Sequence, residues 1–130
     1  MSVWRSRLQK YFKVLGSPSE PTGDGGTSGG VWILIRKCYW VETIQTHTPK
    51  DAYYTTAIVK VNKTRICIVG VYLSPWNHSR NLGTLAGIHR YISLLKLPAF
   101  IAGDWNKTPE ELADMGWVPQ RHSITLQPDN

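Results

Sequence analysis

The chain has 130 residues, of which 42% are hydrophobic, and its formal net charge is +6 with a pI near 9.5. This length is enough for one small domain with a core, and the composition excludes wholesale disorder. The longest apolar run, residues 31–35, has the length of a strand and is too short to span a bilayer. Because a positive field attracts polyanions, we expect nucleic acid as a partner and no membrane.

The N-terminal third begins with basic residues and no acids, a composition also compatible with a transit peptide. A surface helix carrying Trp4 and Leu8 on one side, followed by an extended segment at 11–15, is the simpler interpretation. Residues 16–30 are rich in Gly, Pro and Ser and predict a long surface loop. The apolar residues 31–36 predict a strand that extends to residue 41.

The middle of the chain has a strong hairpin pattern. Residues 54–61 alternate between two faces, residues 62–64 form a tight turn, and residues 65–73 return as a second strand. Residues 75–81 predict a loop. An amphipathic helix then follows from apolar residues spaced i, i+3, i+7 and i+10, which are Leu85, Ile88, Ile92 and Leu95.

The last third contains one more strand and a short helix. Pro98 ends the preceding helix, and residues 99–102 predict a strand. Thr108 is a capping residue, with proline at the next position and Glu111 three residues later, so a helix begins there and Gly116 closes it. A hairpin with interspersed helices predicts an α+β fold of the layered sandwich type rather than a doubly wound parallel sheet.

Both cysteines, Cys38 and Cys67, lie in strand-like apolar contexts. They lack the Cys-x-x-Cys spacing of a metal or redox motif. We therefore expect two buried free thiols and an intracellular, reducing compartment, the nucleus or the cytoplasm.

The candidate chemistry lies in Gly103-Asp104-Trp105-Asn106, directly after the last predicted strand. In extended backbone the side chains of Asp104 and Asn106 leave the same face, and Gly103 leaves room for a substrate. A carboxylate can orient or deprotonate water or hold Mg²⁺, and a neighbouring amide can bind a phosphate oxygen. The alternative is structural, because Asp and Asn commonly cap turns at strand ends.

The tetrapeptide resembles the Gly-Asp-x-Asn signature of the endonuclease/exonuclease/phosphatase superfamily. Three further segments resemble that superfamily in the same order: a Gly-Gly-Val-x-Ile strand at 29–36, a strand ending in Tyr and a Pro loop at 69–75, and the amphipathic helix. The resemblance covers roughly residues 29–117. It is greatest to the apurinic-site and retrotransposon-encoded endonuclease branch, since Tyr72 stands where other branches have His.

The resemblance implies a four-layer α/β sandwich and a Mg²⁺-dependent phosphodiesterase, most similar to an endonuclease. Asp104 would orient or activate the nucleophile, Asn106 would bind the scissile phosphate, and Tyr72 would contact it through its hydroxyl. The alternative for Tyr72 is a structural role, in which its aromatic side chain fills the core. The residues that hold the metal are not identified.

Two features of the superfamily are not found in this sequence. The upstream metal-binding Glu has no counterpart, because Glu20 lies in a Pro/Gly-rich segment and is not assigned as a ligand. None of the histidines follows an Asp, so the terminal Asp-His pair has no counterpart either. We therefore expect residues 1–130 to be the central portion of a larger domain, with hydrolysis by this chain alone in question.

Two other functions remain open. A non-catalytic remnant would bind nucleic acid through its basic surface. A member of the phosphatase branch would act on phosphoinositides or similar small phosphates.

Overall fold

The structure is a computed structural model and describes residues 3–17, 20–21, 23–25, 27–28, 30–45 and 53–117. The described helices and strands, in chain order, are α1 Val3–Leu8, β1 Phe12–Ser17, β2 Glu20–Pro21, β3 Thr27–Ser28, β4 Val31–Arg36, β5 Trp40–Gln45, β6 Tyr54–Val61, β7 Thr64–Tyr72, α2 His78–Leu95, β8 Ala99–Asp104 and α3 Pro109–Asp114. Within these described ranges, no helix has both the length and the apolar character needed to cross a bilayer.

The strands form two principal sheets. Strands β5, β6, β7 and β8 lie side by side in that order, and β1 pairs with β4 in a separate antiparallel sheet. Strands β5, β6 and β7 are antiparallel to their neighbours, whereas β8 runs parallel to β7. The parallel pair follows from α2, which returns the chain to the end of the sheet where β7 began.

The core has two parts, one on each face of the four-stranded sheet. Between the sheets lie the apolar side chains of Leu15, Ile33, Ile35, Ala57 and Val59. On the opposite face, residues of β7 pack against α2 and α3 through Cys67, Val69, Val71, Leu85, Ile88 and Leu112. The described residues therefore form two sheets and a layer of helices, a mixed α/β architecture, and the four-layer sandwich stays a prediction.

The close approach of the two sheets depends on Gly70. A Cβ atom at this position would lie 2.6 Å from Cγ1 of Val31 and 3.3 Å from Cγ1 of Ile33. The missing side chain allows β4 to lie directly over β7. Val31 and Ile33 of β4 therefore lie over Gly70, in the later part of β7.

The hairpin and the three predicted helices are confirmed. Asn62 and Lys63 have φ angles of 48° and 69°, which gives a two-residue turn between β6 and β7. Thr108 and Glu111 form the complete capping box at the start of α3. The helix α2 begins earlier than expected, at His78, because the side chain of Asn77 accepts a hydrogen bond from the backbone of Arg80.

Three expectations need correction. The strand expected to reach residue 41 ends at Arg36, and β5 is a separate strand that pairs with β6. The segment 16–30, expected to be a loop, begins inside β1 and contains the short antiparallel pair of β2 and β3. Cys67 is buried as expected, but Cys38 is exposed because it lies in the turn between β4 and β5.

Candidate active site

Tyr72 and Asp104 end neighbouring strands and are partners in the parallel register of β7 and β8. Because the two strands run parallel, their chains leave the sheet at the same edge. The backbone N–H of Leu73 donates to the carbonyl oxygen of Asp104 at 2.9 Å, which extends the pairing by one residue. Tyr72 is half-buried and Asp104 is exposed. The fold thus brings together two residues 32 positions apart, of which Tyr72 was selected only through the resemblance.

Asn106 is held in place by a turn rather than by strand alternation. Its φ is 47°, and its backbone N–H donates to Oδ1 of Asp104 at 3.2 Å. Its side-chain Nδ2 donates to the carbonyl oxygen of Leu73 at 2.7 Å. The extended geometry expected from the sequence therefore ends at Asp104, and the carboxylate also caps a turn, as the structural alternative proposed. Both backbone groups of Leu73 bond to the segment that contains the candidate residues.

Gly103 has a different role from the one expected. Its φ is 156°, and a Cβ atom there would overlap the carbonyl oxygen of Val71 and lie 2.8 Å from the Val71 nitrogen. The glycine therefore accommodates the backbone of β7 rather than a substrate. This close approach sets the position of Asp104 relative to the end of β7.

The loop after Leu73 is fixed by a buried asparagine. Asn81 is 1% exposed, and its Oδ1 accepts from the backbone N–H of Ser74 while its Nδ2 donates to the Ser74 carbonyl, both at 2.7 Å. The Ser74 hydroxyl accepts from the backbone N–H groups of Trp76 and Asn77 at 3.2 and 3.1 Å. This network gives the loop beside the candidate residues a single conformation and leads it into α2.

The sequence analysis did not select Arg80 and Trp76, which lie in the segment that follows Tyr72. The Tyr72 ring lies edge-on to the ring of Tyr53, with centroids 6.3 Å apart, and the Arg80 guanidinium lies 4.4 Å from the Tyr53 centroid. Trp76 is 91% exposed in the loop after β7. An arginine can bind a phosphate and an exposed indole can stack on a base. One feature of the sequence could have indicated Arg80 as a candidate, namely its position in the first turn of a capped helix.

The acidic and imidazole side chains of the described residues do not assemble a metal site. Within that part of the chain, no group of three or more His, Cys, Asp or Glu side chains could hold an ion. Glu42 is engaged by Arg65, whose Nε and Nη2 donate to its carboxylate at 2.6 and 2.9 Å. His78 and His89 are exposed on α2, and the other two histidines lie outside the described residues. The described residues therefore contain no preformed cluster for the Mg²⁺ that the resemblance implies, and Asp104 is the exposed carboxylate at the candidate site that could contribute to its binding.

Solved structures of TDP2, tyrosyl-DNA phosphodiesterase 2, a member of the endonuclease/exonuclease/phosphatase superfamily, are similar to this chain. A humanized D. rerio TDP2 with 14 mutations gives a TM-score of 0.65 at 15% identity, over 90% of this chain and 52% of that one. A truncated Caenorhabditis elegans TDP2 gives 0.54 at 18% identity, over 89% and 48%. A second C. elegans TDP2 structure gives 0.57 at 19% identity, over 89% and 36%. This chain has part of the TDP2 fold.

At these identities the likeness is one of fold, and the chain spans about half, or less, of the length of these TDP2 structures. No family model matches the chain, and no curated protein sequence does. The comparison therefore shows the fold, and the superfamily expected from the sequence stays a prediction. The apurinic-site and retrotransposon branch, which depends on Tyr72, stays a prediction.

Proposed function

We propose that this chain contributes the Tyr72, Asp104 and Asn106 part of a phosphodiesterase centre that hydrolyses phosphodiester bonds in DNA. The observation that supports the proposal is the register of β7 and β8, which places Tyr72 beside Asp104 on a fold similar to that of TDP2. The assignment to nucleic acid rests on the net charge and on the name of these neighbours. A nuclear or cytoplasmic location is part of the same proposal.

Each residue has a role that its surroundings allow. The exposed carboxylate of Asp104 would orient or deprotonate the attacking water. The hydrogen bond from Asn106 to Leu73 uses one of two hydrogens on its amide nitrogen, so the second remains for a phosphate oxygen. The Tyr72 hydroxyl would donate to the same phosphate. If Mg²⁺ binds at this site, Asp104 would be one of its ligands and the ion would stabilise the charge that develops on the phosphate.

The test is cleavage of an end-labelled single-stranded DNA and of a tyrosyl-DNA conjugate, with added Mg²⁺ and with chelator. The variant Asp104→Asn keeps an acceptor for the Asn106 N–H but cannot act as a base. We expect it to lose roughly 10²- to 10⁴-fold in rate. Asp114→Asn, an exposed carboxylate on α3, is the matched control and should keep the wild-type rate. Equal cleavage by Asp104→Asn and wild type would refute the catalytic assignment.

Binding of nucleic acid without hydrolysis is the second candidate. It is favoured by the net charge of +6, which attracts a polyanion whether or not the chain cleaves it. In that case wild-type protein would bind DNA in a salt-dependent manner, would not cleave either substrate, and would bind unchanged after Asp104→Asn.

A further inference from the structure

Positive charge collects at one end of the sandwich, which we call the basic end and define by six exposed side chains: Lys10, Arg36, Lys37, Lys60, Lys63 and Arg65. Three of them surround the β6–β7 turn, since Lys60 and Arg65 are paired and Lys63 lies in the turn itself. The other three lie where β4 ends and β1 begins. The five residues 36–40 join the two groups directly, because Trp40 pairs with Lys60.

The basic end also presents aromatic rings to solvent. Tyr11 is 71% exposed, Trp40 is 56% exposed and Tyr39 is 43% exposed. The Lys60 ammonium lies 5.9 Å from the Trp40 ring centroid, so a cation and a ring already share one surface. An open groove of about 530 Å³ lies at the second group of cations and is lined by Lys10, Tyr11, Phe12, Arg36, Lys37 and Cys38.

The candidate active site lies at the opposite end of the sheet. Strand β7 runs from Arg65 at the basic end to Tyr72 at the site, a span of roughly 23 Å at about 3.3 Å per residue. The carboxylates of Asp104, Glu110, Glu111 and Asp114 lie near the site end, on β8 and α3. At the basic end, the carboxylate that the described residues provide is Glu42, and it is paired with Arg65. Carboxylates therefore oppose the approach of a polyanion near the site, whereas six cations and one carboxylate meet it at the basic end.

We propose that the basic end is a binding site for single-stranded nucleic acid, separate from the candidate active site. Its cations would contact successive phosphates, and its exposed rings would stack on unpaired bases. Duplex DNA offers the phosphates but keeps its bases stacked inside, so it would use the cations and leave the rings unused. The inference shares with the proposed function the nucleic-acid partner, but it does not depend on hydrolysis at Asp104.

The experiment is a fluorescence-anisotropy titration of labelled oligothymidine, and of a duplex of equal length, over a range of salt concentrations. The double variant Arg36→Gln, Lys37→Gln should reduce the salt slope for oligothymidine by about 1.4, at about 0.7 per phosphate contact. The matched control, Arg90→Gln with Lys107→Gln, removes the same charge outside the basic end. Tyr11→Leu should weaken oligothymidine binding about fivefold or more, and Tyr11→Phe, which keeps the ring, should restore it.

The outcomes separate this site from the proposed function. Loss of binding in the basic-end variants, with binding unchanged in Asp104→Asn, supports the site whether or not the chain cleaves DNA. A larger loss in the Arg90 and Lys107 control than in the basic-end variant overturns it, as does equal binding by Tyr11→Leu and Tyr11→Phe. Preference for the duplex, or binding to anionic phosphatidylserine vesicles but not to oligothymidine, also overturns it. Circular dichroism of every variant checks that the fold is kept.

Discussion

Replacing Asn81 tests whether a single buried side chain holds the loop beside the candidate active site. In Asn81→Ala the backbone N–H and carbonyl of Ser74, which is 7% exposed, lose their partners together. An unsatisfied buried polar group costs about 1–3 kcal/mol, so two of them should lower the free energy of unfolding by about 2–6 kcal/mol. That is a large part of the roughly 5–15 kcal/mol typical of a domain.

A second substitution at the same position makes the test specific. Asn81→Asp keeps the acceptor for the Ser74 N–H but places an oxygen against the Ser74 carbonyl. Burial and that facing oxygen both disfavour the charged form, so the pKa of the introduced carboxyl should be raised in the folded state. Because a protonated carboxyl can donate to the carbonyl, this variant should gain stability relative to wild type as the pH falls below the raised pKa.

The assay is urea denaturation followed by circular dichroism at several pH values. Asn77→Ala serves as the comparison, because it removes one exposed capping bond to Arg80 and should cost about 1 kcal/mol. The reasoning would be refuted if Asn81→Ala cost no more than Asn77→Ala. It would also be refuted if Asn81→Asp showed the same pH dependence as wild type.

Three further results are expected. In thermal denaturation, Gly103→Ala should lower the free energy of unfolding by at least about 2 kcal/mol, because the new Cβ meets the Val71 carbonyl. Gly23→Ala, with open space around the new Cβ, should change the free energy of unfolding by less than about 0.5 kcal/mol. A thiol reagent should label Cys38 in the native protein and Cys67 only after unfolding; labelling of both at one rate would contradict the observed burial. Burial raises the pKa of Cys67 from 9.0 to about 11, so the free energy of unfolding should decline as the pH rises from about 9 through 11. In a series of unfolding curves at different pH values, Cys67→Ala should remove that part of the decline.

The sequence predicted the elements that are specified by local signals, such as turn residues and helix caps. The β6–β7 hairpin followed from alternation around Asn62 and Lys63, and α3 followed from its capping box. Strand β5 was missed because residues 37–39 contain neither Gly nor Pro to mark the turn before it. The register of β5 also shifts between Val41 and Thr43, which breaks the alternation that would reveal a strand.

The candidate site was less accessible to sequence reasoning. The pairing of Tyr72 with Asp104 is a non-local contact, and only a family resemblance suggested that the two residues act together. Arg80 was missed because its contact is with Tyr53, 27 positions away. The basic residues are spread along the chain, and only the pairing of Trp40 with Lys60 brings Arg36 and Lys37 close to the cations of the β6–β7 turn.

The parallel pairing of β7 with β8 has a consequence for the order of folding. The β6–β7 hairpin closes across two residues, whereas β8 joins β7 across the longer segment that contains α2. Closing the longer segment has the larger entropic cost, so we expect this step to follow hairpin formation. The same difference applies to unfolding, so β8 can detach from β7 while the hairpin persists. Hydrogen exchange at Leu73, whose N–H bonds to Asp104, would then report the lifetime of the assembled candidate site.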